Sequence, residues 1–142
     1  MTAKTRIGID IGRVIIGGAG EDTSFFSDNF LCTPEVKGAF DAIADLNAVY
    51  DVWLLSKCGQ KVQDKTLAWL AERRFYEQTG VDPSKVLFCR QRSEKAGIAK
   101  DRGFYAFIDD RTDIIDSMKG VIEHPLLFTD WEGIRENPAL KF

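Results

Sequence analysis

The chain has 142 residues, 44% of them hydrophobic and 29% charged, with a formal net charge of -3. That is enough chain to bury one core as a single domain over residues 1–142 without staples, and the mild charge argues against broad non-specific nucleic-acid binding. No apolar stretch approaches the roughly 18 residues of a membrane span, and no long apolar signal region precedes the first strand, so neither membrane nor nucleic acid is expected as a partner. Cys32, Cys58 and Cys89 are odd in number and widely spaced, with no Cys-x-x-Cys pair, which reads as reduced thiols in a cytoplasmic protein.

The first element lies in the stretch Arg6 to Ile16, apolar and rich in β-branched residues but interrupted by one acid and two glycines, and reads as a buried strand that ends at Asp10. A carboxylate at the end of a buried strand needs a cation or a ring of N–H donors, because burying even a neutral polar group unpaired costs about 2–7 kcal/mol. Gly12, two residues on, removes a side chain where backbone could approach a ligand. Val14-Ile15-Ile16 and Phe25-Phe26, on either side of a Gly-rich turn, suggest a short hairpin or flap. Thr33-Pro34-Glu35 reads as a helix start with Thr33 as N-cap, and Val36, Ala39, Phe40, Ile43 and Leu46 form its apolar face.

A second strand is expected from Tyr50 to Leu55, ending at Ser56-Lys57, and a helix from about Lys61 to Phe75 with Val62, Leu67, Leu70 and Ala71 inward and Trp69 alongside. Lys85 to Cys89 is a third strand, and Ser93-Glu94-Lys95 opens a helix stopped by Gly103. Phe104 to Ile108 is a fourth strand ending at Asp109-Asp110, followed by a short helix from Asp113 to Met118. Gly120-Val121-Ile122 and Leu126-Leu127-Phe128 complete the sequence of elements as one or two strands. Strands alternating with helices imply an α/β fold with a central parallel sheet covered on both faces. In such sheets ligands sit beyond the carboxyl ends of the strands. Asp10, Ser56 and Asp109-Asp110 all fall at such ends, and Lys95 begins a helix just past another.

Three carboxylates converging on one edge are a hard-oxygen set suited to Mg²⁺. A Ser hydroxyl, loop N–H groups and a Lys ammonium suit the oxygens of a phosphate. An Asp in line with phosphorus can attack it, giving an aspartyl-phosphate that water hydrolyses.

The order Asp10-Ile-Gly12-Arg13-Val14, Leu54-Leu55-Ser56, Lys95 and Phe107-Ile108-Asp109-Asp110-Arg111 resembles the haloacid dehalogenase (HAD) superfamily from Ile7 to about Asp116. The resemblance implies a Rossmann-like three-layer sandwich and a Mg²⁺-dependent phosphatase acting on a phosphorylated substrate. In that correspondence Asp10 is nucleophile and metal ligand. Ser56 and the adjacent Lys57 bind phosphate, with Gly12 and Arg13 on the substrate side. Lys95 steadies nucleophile and phosphate, with Lys100 as a second candidate for that role. The Gly12 carbonyl, Asp109 and Asp110 complete the metal site, Asp110 being favoured as the direct ligand; Asp113 is a second-rank group or a helix N-cap. The intervals between motifs leave no room for a cap domain, and capless members either take large exposed substrates or close the site as a homo-oligomer.

One position departs from the pattern. Most phosphatases of the superfamily carry a second Asp two residues after the nucleophile, as the general acid for the leaving group; here it is Gly12. Losing a general acid costs about 10²–10⁴-fold, so the competing reading is a catalytically weak or inactive domain used as a binding or regulatory module. Gly8-Ile9-Asp10-Ile11-Gly12 also resembles the first phosphate loop of the sugar-kinase and actin-like ATPases, whose two lobes this chain is too short to supply. Response-regulator receivers place their acidic pair first and Lys last, the reverse of the order here. Among the remaining residues, His124 reads as a surface or loop residue and Cys58, lacking a His partner, as no nucleophile. Trp53 and Trp69 read as core, Trp131 as packing the C-terminal end onto the sheet or as a dimer contact. Arg73-Arg74 and Arg90-Gln91-Arg92 read mostly as solvated faces, with Arg90 and Arg92, which follow a strand end, as candidates for the site entrance.

Overall fold

The computed structural model describes residues 3–17 and 29–142. The flap expected around Phe25-Phe26 lies outside them. Five parallel strands form one sheet: β1 (Arg6–Ile9), β2 (Asp51–Lys57), β3 (Val86–Cys89), β4 (Ala106–Asp109) and β5 (His124–Leu127), in the order β3-β2-β1-β4-β5. Around them run α1 (Ala39–Val49), α2 (Gln60–Glu72), α3 (Phe75–Thr79), α4 (Glu94–Arg102), α5 (Thr112–Met118) and α6 (Trp131–Arg135). The pleat sends alternate side chains to opposite faces. Ile7, Ile9, Val52 and Leu54 meet α1, α2, α3 and α6 in one core, while Trp53, Leu55 and Phe107 meet α4 and α5 in a second. The result is a three-layer α/β sandwich.

Gly8 is the glycine that packing requires. A Cβ there would lie 2.5 Å from the Phe104 ring and 2.6 Å from that of Phe107, so β1 can sit against these two stacked rings only without a side chain. Gly12, by contrast, has nothing within 4 Å of a built Cβ.

Several boundaries differ from the sequence expectation. Thr33 and Pro34 do not start a helix: Gly17 N–H donates to the Pro34 carbonyl and Val36 N–H to that of Ile15, so this stretch pairs with the loop after β1. The helix begins five residues past Pro34, at Ala39, behind a left-handed Gly38, and the Glu35 carboxylate accepts from Phe40 N–H at 3.2 Å. The helix expected to run to Phe75 stops at Glu72, and a further short helix, α3, starts at Phe75 behind Arg74, whose φ of 54° is left-handed. The buried side of α2 is Thr66, Trp69 and Leu70, leaving Leu67 and Ala71 outward and Val62 half-buried; the Thr66 hydroxyl is satisfied by the Val62 carbonyl at 2.7 Å. Near the C-terminus one strand forms, not two, and His124 opens it, packing edge-on against Tyr105 at the end remote from the acidic residues. Trp53, Trp69 and Trp131 are all buried, Trp131 donating to the Val14 carbonyl at 2.9 Å. Cys32, Cys58 and Cys89 are free thiols, and no helix among the described residues is long and apolar enough to cross a membrane.

Candidate active site

From β1 the chain moves outward through β2 to β3, then returns to the other side of β1 for β4 and β5. The direction of winding therefore reverses between β1 and β4, and in open parallel sheets the carboxyl ends at such a reversal are where ligands bind. Asp10 follows β1 directly, its N–H continuing the ladder to the Ile108 carbonyl at 2.9 Å, and Asp109 ends β4. One ligand oxygen from each of Asp10, Asp109 and Asp110 lies within 4.8 Å of the others.

Lys95, in the first turn of α4, reaches between them. Its ammonium donates to Asp10 Oδ1 at 3.1 Å and to Asp109 Oδ2 at 2.8 Å, and only 3% of its side chain is exposed. The other oxygen of Asp109 accepts from Arg111 N–H at 3.0 Å. Asp109 thus has both oxygens engaged in a fully buried position, whereas Asp110 is half-buried. Burial pushes the Asp10 carboxyl up to about 7; Lys95 pulls it down, and the charges of Asp109 and Asp110 add to the rise. Burial raises Asp109 too, against the same ammonium. For Lys95 burial acts downward, but the two carboxylates outweigh it and hold its proton more firmly than usual.

Ser56 is buried at the carboxyl end of β2, the strand beside β1; the register pairs Leu54 with Ile9, so Ser56 stands level with the start of the loop after Asp10. Gly12, Arg13 and Lys57 are not part of the buried cluster: all three are exposed. Between them the chain is tightly held. Arg13 N–H donates to the Ile16 carbonyl, and the N–H groups of Val14, Ile15 and Ile16 converge on that of Ile11, so the turn's bonds draw on Ile11 and Ile16 and not on the Gly12 carbonyl. Arg13 has a left-handed φ of 65°, a conformation that costs a non-glycine residue about 1–2 kcal/mol and that concentrates at functional sites.

Lys100 is exposed, which leaves Lys95 as the cluster's ammonium. Asp113 is exposed and paired with Arg111 at 3.1 Å, and Arg111 rather than Asp113 holds the cap position of α5. Arg90, singled out in the sequence only as a charge following a strand end, ties two loops together. Its guanidinium donates to the Cys58 carbonyl and to Gln60 Oε1, both at 2.8 Å, tying the end of β3 to the loop that follows Ser56. The Glu94 carboxylate accepts from the N–H groups of Arg90 and Gln91, so the residue beside Lys95 fixes the same turn. Arg92 is exposed.

A parallel five-stranded sheet, helices on both faces and carboxylates at the switch point define a Rossmann-like α/β protein with the HAD-like fold. Among solved structures, a chain of the Pnkp1/Rnl/Hen1 RNA repair complex matches with a TM-score of 0.66 and 14% identity, over 89% of this chain and 42% of that one, so this chain spans less than half of it. A HAD family enzyme from Bacteroides thetaiotaomicron, in complex with magnesium and inorganic phosphate, matches with a TM-score of 0.61 and 14% identity over 94% of this chain and 100% of its own. Its magnesium complex gives 0.60, 15%, 96% and 100% for the same measures. No family model and no curated protein matches the sequence, so the likeness is one of fold. The chain has the HAD-like architecture in a capless form: among the described residues, the segments between β1 and α1 and between β2 and β3 build no second folded unit.

Proposed function

We propose that the protein is a Mg²⁺-dependent phosphatase working through an aspartyl-phosphate on Asp10. The observation that carries this reading is the convergence of three carboxylates from two neighbouring strand ends, with Lys95 clamped between two of them. An acidic trio of this kind, lacking nitrogen or sulfur donors, fits a hard divalent cation. Asp10, Asp110 and the Gly12 carbonyl are the groups to hold it, with Asp109 supporting through Lys95. Such a cation would neutralise repulsion between the nucleophile and a phosphoryl group and stabilise the charge of the transition state. The HAD family neighbour that binds magnesium and inorganic phosphate supports the same assignment.

In this reading Lys95 holds the Asp10 carboxylate in one orientation and keeps a positive charge at its oxygen. Ser56, Lys57 and the N–H groups of the loop that Arg90 fixes receive the non-bridging phosphate oxygens. The substrate is a phosphorylated compound, and the protein acts in the cytoplasm, alone or as a homo-oligomer. One observation favours a second reading, a binding module with little turnover: position 12 carries no side chain to act as an acid. Hydrolysis of p-nitrophenyl phosphate with and without Mg²⁺ separates the two, since its leaving group scarcely needs a proton. Mg²⁺-dependent turnover abolished by Asp10→Asn is expected. Absence of turnover together with absence of Mg²⁺-dependent beryllium fluoride binding would leave the binding module.

A further inference from the structure

Two neighbouring strands end in loops that serve the site. β2 ends at Ser56 and Lys57, and Cys58 and Gly59 lead into α2. β3 ends at Cys89, and residues 90–93 lead into α4, whose second residue is Lys95. The strands pair directly, Ser56 with Phe88 and Lys57 with Cys89, and the Cys58 N–H donates to the Cys89 carbonyl at 3.0 Å. Cys58 also reaches inward: its thiol is hydrogen-bonded with Ser56, and the charges of both Arg90 and Asp10 are felt there. The loop before α2 is thus within electrostatic reach of Asp10 and bonded to the end of β3.

One side chain fastens the two loops together. The Arg90 guanidinium donates through one nitrogen to the Cys58 carbonyl and through another to Gln60 Oε1, so its planar fork is fixed in orientation. The Gln60 amide is held from its other side, its nitrogen donating to Asp64 Oδ1 at 2.9 Å. A trans peptide unit is planar, so a Cys58 carbonyl turned to Arg90 sends the Gly59 N–H of the same unit the opposite way. Directly after it comes the first turn of α2, whose N–H groups have no partner within the helix. The backbone of Arg90 is anchored in turn: its N–H and that of Gln91 donate to Glu94 Oε1 at 3.2 and 2.9 Å. Glu94 immediately precedes Lys95, whose own N–H donates to the Arg92 carbonyl at 3.1 Å.

We infer that Arg90 is a positioning residue of the phosphate site: its guanidinium sets the loop after Ser56, and with it the donors for the phosphoryl oxygens, and makes that loop one unit with the turn that delivers Lys95. This rests on the phosphatase reading above. Arg90 acts through Cys58 and Gln60, not by contact with the reacting atoms. A phosphoryl group presents its non-bridging oxygens to these donors both before and during transfer, so the loop binds ground state and transition state alike. Losing its alignment therefore raises KM and weakens phosphate binding while leaving kcat nearly unchanged. The fork of arginine is what makes both bonds at once. Lysine keeps the charge but, as a point donor, cannot hold the Cys58 carbonyl and Gln60 in the same geometry.

The test uses the full chain with Mg²⁺, p-nitrophenyl phosphate as substrate, and inorganic phosphate as a ligand titrated by calorimetry, so that binding is read without turnover. Arg90 is exposed, and Arg90→Met is expected to raise both KM and the phosphate dissociation constant by about tenfold or more, the worth of one charge-assisted hydrogen bond, with kcat within about threefold of native. Arg90→Lys, which keeps the charge, should recover part of this loss. Gln60→Ala, which leaves the charge in place and removes one of the two bonds, should raise both constants by about threefold or more. A folded Arg90→Met variant with native KM and native phosphate affinity, or with its loss confined to kcat, would overturn the inference and leave the phosphatase reading intact. Complete rescue by lysine would overturn it too, by assigning the effect to charge alone. If Arg90→Met does not fold, Gln60→Ala decides: raised constants support the positioning role and native constants overturn it. A native protein that binds phosphate without turnover leaves the phosphate affinities of the same variants to decide. If the native protein neither turns over the substrate nor binds phosphate, both readings fall.

Discussion

Replacing Lys95 with Met is the most searching perturbation of the site, because it keeps the length of the side chain and removes one charge from between two others. Lys95, Asp10 and Asp109 are all buried, with Asp109 fully so. Removing one partner of a buried ion pair costs about 3–5 kcal/mol, since the remaining charge loses its compensation. That would be a large share of the roughly 5–15 kcal/mol that holds a domain folded. The native state can escape the penalty only by taking up protons. Asp10 already sits at about 7 with the ammonium present, and losing Lys95 drives both carboxyls further up. A carboxyl whose pKa is raised on folding stabilises the native state at low pH, and this stability is lost as pH climbs through the folded value. The slope is up to about 1.4 kcal/mol per pH unit for each extra proton bound. The deficit of Lys95→Met relative to the native protein should therefore be largest near pH 8 and shrink towards pH 5. Urea denaturation followed through the buried Trp53, Trp69 and Trp131 measures it directly. Adding Asp10→Asn to Lys95→Met should recover part of the loss at pH 8 by removing one of the two facing charges. A variant with the native midpoint at pH 8, or a deficit of the same size at pH 5 and pH 8, would refute the idea that this ammonium holds the carboxylates together.

Asp10→Asn alone should abolish Mg²⁺-dependent turnover while leaving the metal-free protein at least as stable as the native one near pH 8, as thermal melts will report, because it removes a buried charge facing two others. As a ligand in the proposed site Asp10 would bind Mg²⁺ as its anion, present in about nine-tenths of molecules at pH 8 and about one-tenth at pH 6 when the carboxyl titrates at about 7. Apparent Mg²⁺ affinity, read by calorimetry, should thus weaken about tenfold between those two values, and an affinity that is flat with pH would argue against Asp10 as a ligand. Gly8→Ala should destabilise the fold by about 1–3 kcal/mol or more, because its Cβ would overlap rings on two sides. The same substitution at Gly12 should be neutral within about 0.5 kcal/mol in chemical denaturation.

What could be read in the sequence, and what could not, follows from the range of the forces involved. Asp10, Ser56, Lys95 and Asp109-Asp110 were legible because each is a polar residue at the end of an apolar strand or the start of a helix, a contradiction in local burial that only a shared site resolves. The parallel sheet was legible for the same reason, since Val52-Trp53-Leu54-Leu55 and Phe107-Ile108 are apolar without alternation and so must be covered on both faces. Thr33-Pro34 misled because its cap chemistry is local, while the bonds that decided the matter come from Ile15 and Gly17, about twenty residues earlier. The break at Arg74 left no mark because neither glycine nor proline makes it. Arg90 was visible as a charge near a strand end, but its role depends on Cys58 and Gln60 across the sheet.

The loop after Asp10 is held by the core at all but two of its positions. From Asp10 to Ile16 every residue is buried except Gly12 and Arg13. Ile11, Val14, Ile15 and Ile16 belong to the main core, and Trp131, from the far end of the chain, fastens the loop by its bond to the Val14 carbonyl. Asp10 is therefore held by the packing of the loop that follows it as well as by Lys95. Residues 12 and 13 are correspondingly free of the core: one has open space where a side chain would stand, and the other carries its charge into solvent from a left-handed backbone. On the proposed phosphatase reading the glycine at position 12 does not mark a decayed site, because Asp10, the ammonium beside it and the acidic pair remain assembled.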